Sequence, residues 1–242
     1  MSQSPVCLIV GAGSGLGAGL ARTFAKAGFT ICLVRRHPDT AKPLIEELRA
    51  RGVTAHAFAA DARDPNALSQ VFDDVEASVG EIEVTIFNVG GNVRTGVLET
   101  SPQTYLDVWQ TSAFAGFMTG QNAARVMQPR QRGTILFTGA TASLRGGVGF
   151  SAFAAAKAAL RAFAQSLARE FGPQGIHVAH VVVDGGIDSP RIREQQPERV
   201  AAAGSDGLLE PDHLAHNYLL LHQQPRDAWT FELDIRPWAE RW

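Results

Sequence analysis

Seven residues near the start of the chain, Gly11-Ala12-Gly13-Ser14-Gly15-Leu16-Gly17, separate a short apolar run, Val6–Val10, from a segment with helical periodicity, Leu16–Ala27. Glycine tolerates backbone angles and close approaches that a side chain forbids. A strand, a tight turn and a helix are therefore expected in that order. The spacing is GxxxGxG, met by Gly11, Gly15 and Gly17. Leu16 stands where a GxGxxG pattern begun at Gly11 would need glycine. A glycine-rich loop that opens a helix aims free N–H groups and the positive end of the helix dipole at one point, which suits a phosphate. The segment predicts a dinucleotide diphosphate at Gly11, Ser14, Gly15, Leu16 and Gly17.

The rest of the chain repeats the theme. Apolar runs recur at Thr30–Val34, Val53–Ala59, Ile82–Phe87, Thr134–Thr138, His177–Val183 and Trp229–Ile235. Helical patterns lie between them, at Leu44–Arg51, Ala67–Val79, Gln103–Met127 and Ser151–Phe171, with a further helical stretch after Pro211. Strictly alternating strands and helices predict an α/β fold of the Rossmann type, a doubly wound parallel sheet of seven strands with helices on both faces. Gly28 and Gly52 are placed to close helices, Pro65 to sit in a first turn and Pro129 to stop a long helix. One domain over 1–242 is expected. Gln195–Asp206 has little periodicity, and 190–210 is read as a lid over the site.

Charge narrows the partners. Lys and Arg number 22 against 24 Asp and Glu, so the formal charge is −2 and no basic field exists for a nucleic-acid backbone or an anionic membrane. No apolar run approaches the roughly 18 to 20 residues that span a bilayer, and MSQSPVCLIV has no basic stretch ahead of its apolar one. A cytoplasmic location and a small-molecule substrate follow as expectations. Cys7 and Cys32 sit inside apolar strands, where a thiol acts as a small buried hydrophobe. No metal site is expected: His213, His216 and His222 recur at threes but lack cysteine or clustered carboxylates, and read as surface residues. The second strand ends against Arg35 and Arg36. An acid there would bind ribose hydroxyls, whereas arginine pairs with a 2′-phosphate, so NADP(H) is favoured over NAD(H); the alternative is a solvated arginine pair opening a surface helix.

Taken together the motifs resemble the short-chain dehydrogenase/reductase family in its standard class of about 250 residues. The resemblance rests on GxxxGxG at 11–17, Asp61 after the third strand, Asn88-Val89-Gly90-Gly91 after the fourth, Lys157, and Asp184-Gly185-Gly186-Ile187-Asp188-Ser189 after the sixth. It implies that Asp61 and Ala62 meet the adenine, that Asn88 and Gly90 flank the adenosine ribose, and that Gly185, Ile187 and Ser189 lie along the nicotinamide end. It also implies an oxidoreductase and, from the helix Ser151–Phe171 and the last strand, a homodimer or homotetramer. Small residues on more than one face of that helix, and Trp238 and Trp242 near the end of the chain, agree with such contacts.

The departures from the family fall on the chemistry. Phe153 stands where the catalytic tyrosine of YxxxK belongs, four residues before Lys157, and Ala140 stands where the serine belongs. The asparagine of the fourth helix aligns with Ser112. A ketone that accepts hydride becomes alkoxide-like and needs a proton and a hydrogen bond at oxygen. Phe153 and Ala140 supply neither, which leaves Lys157 to position the cofactor. Three readings follow. The first is an NADPH-dependent reductase acting on an imine, iminium ion or other C=X group, with Asp184 as a counter-charge or replacement acid; equally, Asp184 reads as a turn aspartate. The second is a carbonyl reductase using a substitute hydroxyl, from Ser143, Thr141, Ser151 or Tyr218, the last of which also reads as helix packing. The third is an inactive NADP(H)-binding sensor or partner subunit.

Overall fold

The computed structural model describes residues 4–240. Seven strands form one sheet: β1 (Val6–Val10), β2 (Thr30–Arg35), β3 (Ala55–Ala59), β4 (Ile82–Phe87), β5 (Gly133–Thr138), β6 (Ile176–Val183) and β7 (Glu232–Ile235). Their order is β3-β2-β1-β4-β5-β6-β7, and every neighbouring pair is parallel. The chain winds outward in one direction from β1 to β3 and in the other from β4 to β7. The reversal between β1 and β4 opens a crevice at the carboxyl ends of the strands.

Helices cover both faces. On one lie α1 (Leu16–Lys26), α2 (Lys42–Ala50) and α9 (Pro211–His222), packing Leu20, Phe24, Leu48 and Tyr218 on Ile9, Ile31 and Ile86. On the other lie α3 (Pro65–Ser78), α5 (Ala115–Met127) and α6 (Ser151–Phe171), packing Phe72, Met127 and Leu160 on Leu8, Phe87 and Phe137. β1, β5 and β6 are buried along their full length, as strands covered on both sides must be, and they read as continuous apolar runs rather than alternating ones. Cys7 and Cys32 are buried free thiols in this core, and burial pushes both pKa values up, that of Cys32 to about 12.

Several boundaries differ from the sequence reading. The third and seventh strands start later, at Ala55 and Glu232 rather than Val53 and Trp229. The helix expected over Gln103–Met127 is α4 (Pro102–Trp109) joined to α5 through one π-helical turn at Gln110–Phe114. The stretch Gln195–Asp206, read as irregular, carries most of a short helical pair, α7 (Pro190–Gln195) and α8 (Pro197–Ala203). Each is too short to display a period, yet each opens on a proline, the residue best suited to a first helical position. His222 is not a surface residue: its Nδ1 lies 2.9 Å from Thr134 Oγ1 and its ring packs on Phe24 and Phe29. His213 and His216 are exposed. Among the described residues no helix is long and apolar enough to cross a membrane, and no group of three His, Cys, Asp or Glu could hold a metal.

Candidate active site

The glycine loop turns tightly at Gly11 and Gly17, where the packing leaves no room for a side chain. Gly11 has φ +93°, and a Cβ there would lie 2.8 Å from the Asn88 carbonyl group. A Cβ on Gly17 would meet the Ala12 Cα at 2.6 Å, so α1 can lie against the turn only with glycine at that position. Asn88 fastens the loop from β4, its Nδ2 donating to the Gly11 carbonyl at 3.1 Å. No acidic side chain occupies the first turn of α1, so its N-terminus keeps its positive character.

This loop is the floor of a crevice of about 710 Å³, whose lining brings together Gly11, Ser14, Gly15, Leu16, Gly17, Arg35, Arg36, Asp61, Ala62, Asn88, Gly90, Ile187 and Ser189. Gly185 is placed elsewhere: the position of its missing side chain faces Pro237, at 2.7 Å. At the outer end Arg35 donates from Nη1 to the Thr40 carbonyl at 2.9 Å. Among the described residues neither Arg35 nor Arg36 forms an ion pair with a carboxylate, which leaves two cations facing one end of the crevice. Asp61 is different. Arg63 grips its carboxylate, with Nη2 at 2.6 Å, and this hydrogen bond holds the carboxyl below its usual range.

Lys157 lies beyond Gly90. Its Nζ donates to the Thr138 carbonyl at 2.8 Å, stands 3.6 Å from where a Gly90 side chain would be and sits 5.8 Å from the centre of the Phe153 ring. Burial disfavours its charge and brings the pKa down to about 8. Phe153, half-buried, joins Val93, Val108, Ala152 and Ala156 in a small apolar cluster. Ala140 offers only backbone, and its N–H donates to Ser143 Oγ at 3.1 Å. Ser143 is itself buried, so its hydroxyl serves as a brace for this turn. Thr141 donates its hydroxyl to the Asp184 carboxylate, which also lies 3.8 Å from the Arg236 guanidinium. The negative charge of Asp184 is thus met inside the protein, and Asp184 does not line the crevice.

Tyr218 is not brought to this place. It is fully buried beneath α9 in the opposite core, its hydroxyl 2.9 Å from Thr138 Oγ1, and burial pushes its phenol pKa up. The physical reason is its position on α9: it belongs to the face, with Leu214 and Leu221, that packs on the sheet. Ser112 falls within the π-helical turn, buried, with no hydrogen-bond partner for Oγ.

Residues that short motifs did not reveal complete the lining: His37, Thr40, Arg63, Thr111 and Arg191. Behind the head of β5 a buried histidine meets a partly exposed ion pair. His180 Nδ1 is 3.0 Å from Glu232, and Arg161 grips Glu232 with Nε at 2.6 Å and Nη2 at 2.8 Å. Desolvation by burial outweighs the neighbouring carboxylate and brings the His180 pKa down to about 4, with Lys157 and Arg161 adding smaller repulsions. Only spatial proximity joins these residues, so sequence spacing carried no signal for them.

The fold and this crevice define a nucleotide-binding α/β protein, and the sequence profile described as short chain dehydrogenase matches residues 5–200. The chain belongs to that family. It is 41% identical to a short-chain dehydrogenase from Rhodopseudomonas palustris, whose crystal structure superposes with a TM-score of 0.85 over 98% of this chain and 100% of that one. The 3-oxoacyl-[acyl-carrier-protein] reductase FabG of Escherichia coli is 27% identical over 191 residues, 79% of this chain and 77% of its own length. An actinorhodin polyketide ketoreductase crystallised with NADPH shares the fold at a TM-score of 0.88 and 24% identity, covering 97% of this chain and 96% of that one.

Proposed function

We propose that this chain is an NADP(H)-dependent oxidoreductase that transfers hydride to a C=X carbon needing no proton from a tyrosine or serine, an imine or iminium ion before all others. One observation carries the reading: Gly90, which lines a crevice rich in glycine and arginine, has Lys157 behind it, and the ring 5.8 Å from the Lys157 Nζ is that of Phe153 rather than a tyrosine. The dimensions fit the cofactor. The crevice volume, the side-chain-free approach at Gly11 and Gly17, and the unpaired Arg35 and Arg36 suit a diphosphate and a 2′-phosphate. When bound, NADP(H) supplies the hydride.

The chain's own residues do the rest. Arg35 and Arg36 pair with the 2′-phosphate, and Asp61, held by Arg63, presents a fixed carboxylate beside Ala62 at the adenine end. Asn88 and Gly90 border the ribose. Lys157, anchored on Thr138, hydrogen-bonds ribose hydroxyls and orients the nicotinamide, while Ile187 and Ser189 close that end. Phe153, Val93 and Val108 form an apolar wall. A protonated imine is already electrophilic at carbon and becomes a neutral amine on taking hydride, so such a wall suits it and no acid is missing.

Carbonyl reduction is the second reading. The Thr141 hydroxyl, one residue from Ala140 and hydrogen-bonded to Asp184, supports it, and so does the reductase name of the Escherichia coli relative. Restoring the absent groups separates the two. Phe153→Tyr with Ala140→Ser is expected to raise ketone turnover about a hundredfold, the scale of one positioned acid. A wild-type ketone rate that these changes leave unimproved would favour the second reading. We further propose a homodimer or homotetramer, supported by the half-exposed Tyr105, Leu106, Trp109 and Phe117 on α4 and α5 and by Trp238, 82% exposed. Trp242 lies outside the described residues.

A further inference from the structure

A hydroxyl can give one hydrogen bond and receive two, so fixing its hydrogen fixes what it offers a ligand. Thr141 is such a case. It stands one residue beyond Ala140, at the head of the short helical turn Thr141–Ser143, and its hydroxyl donates to the Asp184 carboxylate. A carboxylate only accepts, so the hydrogen lies towards Asp184 and the Thr141 oxygen keeps its lone pairs. Among the described residues nothing donates to that oxygen. Thr141 is half-buried, whereas Ser143 is buried and uses its oxygen to receive the Ala140 N–H.

Three strand ends set the place of this hydroxyl. Gly139 N–H donates to Val181 O at 2.7 Å, which keeps β5 and β6 paired up to the turn, and Asp184 N–H donates to Ile235 O at 2.9 Å, which ties the end of β6 to β7. The Arg236 guanidinium lies 3.8 Å from the Asp184 carboxylate and also pairs with Asp234. Asp184 is held from behind, and it acts forward through Thr141, whose O–H it polarises. Beyond Asp184 the chain passes to Ile187 and Ser189, which line the crevice. The Thr141 oxygen therefore stands between Ala140, which lacks a hydroxyl, and the segment that carries Ile187.

We propose that Thr141, its hydrogen held by Asp184, is a specificity-determining acceptor that selects a substrate bearing a protonated imine nitrogen over one bearing a carbonyl oxygen. The inference rests on the imine reading above and deepens it. An iminium ion presents an N–H, which finds the Thr141 lone pairs; a ketone presents lone pairs of its own and meets the same oxygen with no hydrogen between them. Nitrogen keeps its proton throughout. The hydride brings the electron pair of the new C–H bond, the C=N π pair becomes the amine lone pair, and NADPH is oxidised to NADP⁺. Thr141 and Asp184 neither gain nor lose a proton. The carbonyl reading asks the opposite of the same atom, since Thr141 would have to withdraw its hydrogen from Asp184 and give it to the substrate oxygen.

The test uses inert ligands as well as turnover. Piperidinium and tetrahydropyran, an ammonium ion and the ether of the same ring, are titrated by calorimetry into the full chain with NADP⁺ present, beside initial rates with a cyclic imine and its ketone analogue. The wild-type chain is expected to prefer piperidinium. Thr141→Val should cut that preference about tenfold and raise the imine KM by a similar factor, the scale of one hydrogen bond to a charged group, while Thr141→Ser keeps both. Asp184→Asn can donate from its amide to the Thr141 oxygen and free the hydroxyl hydrogen, so it should move the preference towards tetrahydropyran. A preference and an imine KM within about twofold of wild type in Thr141→Val would overturn the proposal and leave the imine reading standing. Should that variant fail to fold, an unmoved preference in Asp184→Asn overturns it instead. A wild-type chain that reduces the ketone and not the imine overturns both.

Discussion

The two ends of the crevice obey different rules. At the glycine loop two positions are dictated by contact: Gly11 and Gly17 admit no side chain, Asn88 secures the turn, and Arg35 and Arg36 form no ion pair among the described residues. Around Lys157 the side chains are apolar or already engaged: Phe153 and Ala140 carry no hydroxyl, Ser143 turns inward, and Asp184 is occupied by Thr141 and Arg236. On the reading proposed above, the difference teaches that a nucleotide site and a proton-donating site, though adjacent on one sheet, are separable in physical terms.

The sharpest way to break the comparison is at its rigid end. Gly17→Val places branched carbon against the Ala12 backbone and is expected to cost at least a hundredfold in NADPH affinity, measured by titration alongside circular dichroism to confirm the fold. Next, Arg35→Asp should move the NADPH-to-NADH affinity ratio about a hundredfold towards NADH, since it replaces an attraction to the 2′-phosphate by repulsion. Unchanged preference would remove Arg35 from the account.

Lys157→Met tests the other end through stability. A buried ammonium whose pKa is lowered from 10.5 to about 8 is held at a cost of about 3 kcal/mol below pH 8. Stability therefore declines as pH falls from 10.5 through 8. The variant should unfold about 1–3 kcal/mol later in denaturant at pH 7 while binding NADPH about tenfold more weakly. Loss of stability in Lys157→Met would mean that the Thr138 hydrogen bond outweighs desolvation.

An effect of similar size, confined to acid pH, concerns His180, where burial disfavours the charged ring. Its folded pKa of about 4 lies below the unfolded value near 6.5, so the unfolded chain binds more protons between them and stability falls as pH drops from 6.5 through 4. The loss at pH 4 is up to about 3 kcal/mol, and His180→Gln should flatten that limb of a stability profile. An unchanged limb would assign the acid sensitivity to other groups.

How much of this could be read beforehand depends on the range of each interaction. The helix Ser151–Phe171 and the strands Val6–Val10 and Ile82–Phe87 match the sequence reading residue for residue, because length and apolar pattern were unambiguous there. The π-helical turn at Gln110–Phe114 carries no glycine or proline to mark it. The helices α7 and α8 are shorter than two turns, and only Pro190 and Pro197 announced them. In the site, contiguous motifs pointed to the loop, Asn88 and Lys157. Arg191, Arg63 and the His180–Glu232–Arg161 chain depend on tertiary neighbours. Tyr218 shows the converse: its residue type suggested chemistry, but the helix face on which it lies buries it in the core.

The most direct test of the central claim is the initial rate of NADPH oxidation with a matched pair, a cyclic imine and its ketone analogue, between pH 6 and 8. A nucleotide site intact beside a hydride site without an acid predicts turnover of the imine and none of the ketone. Ketone turnover equal to or above that of the imine would contradict it, and would mean that a proton donor operates beside Phe153.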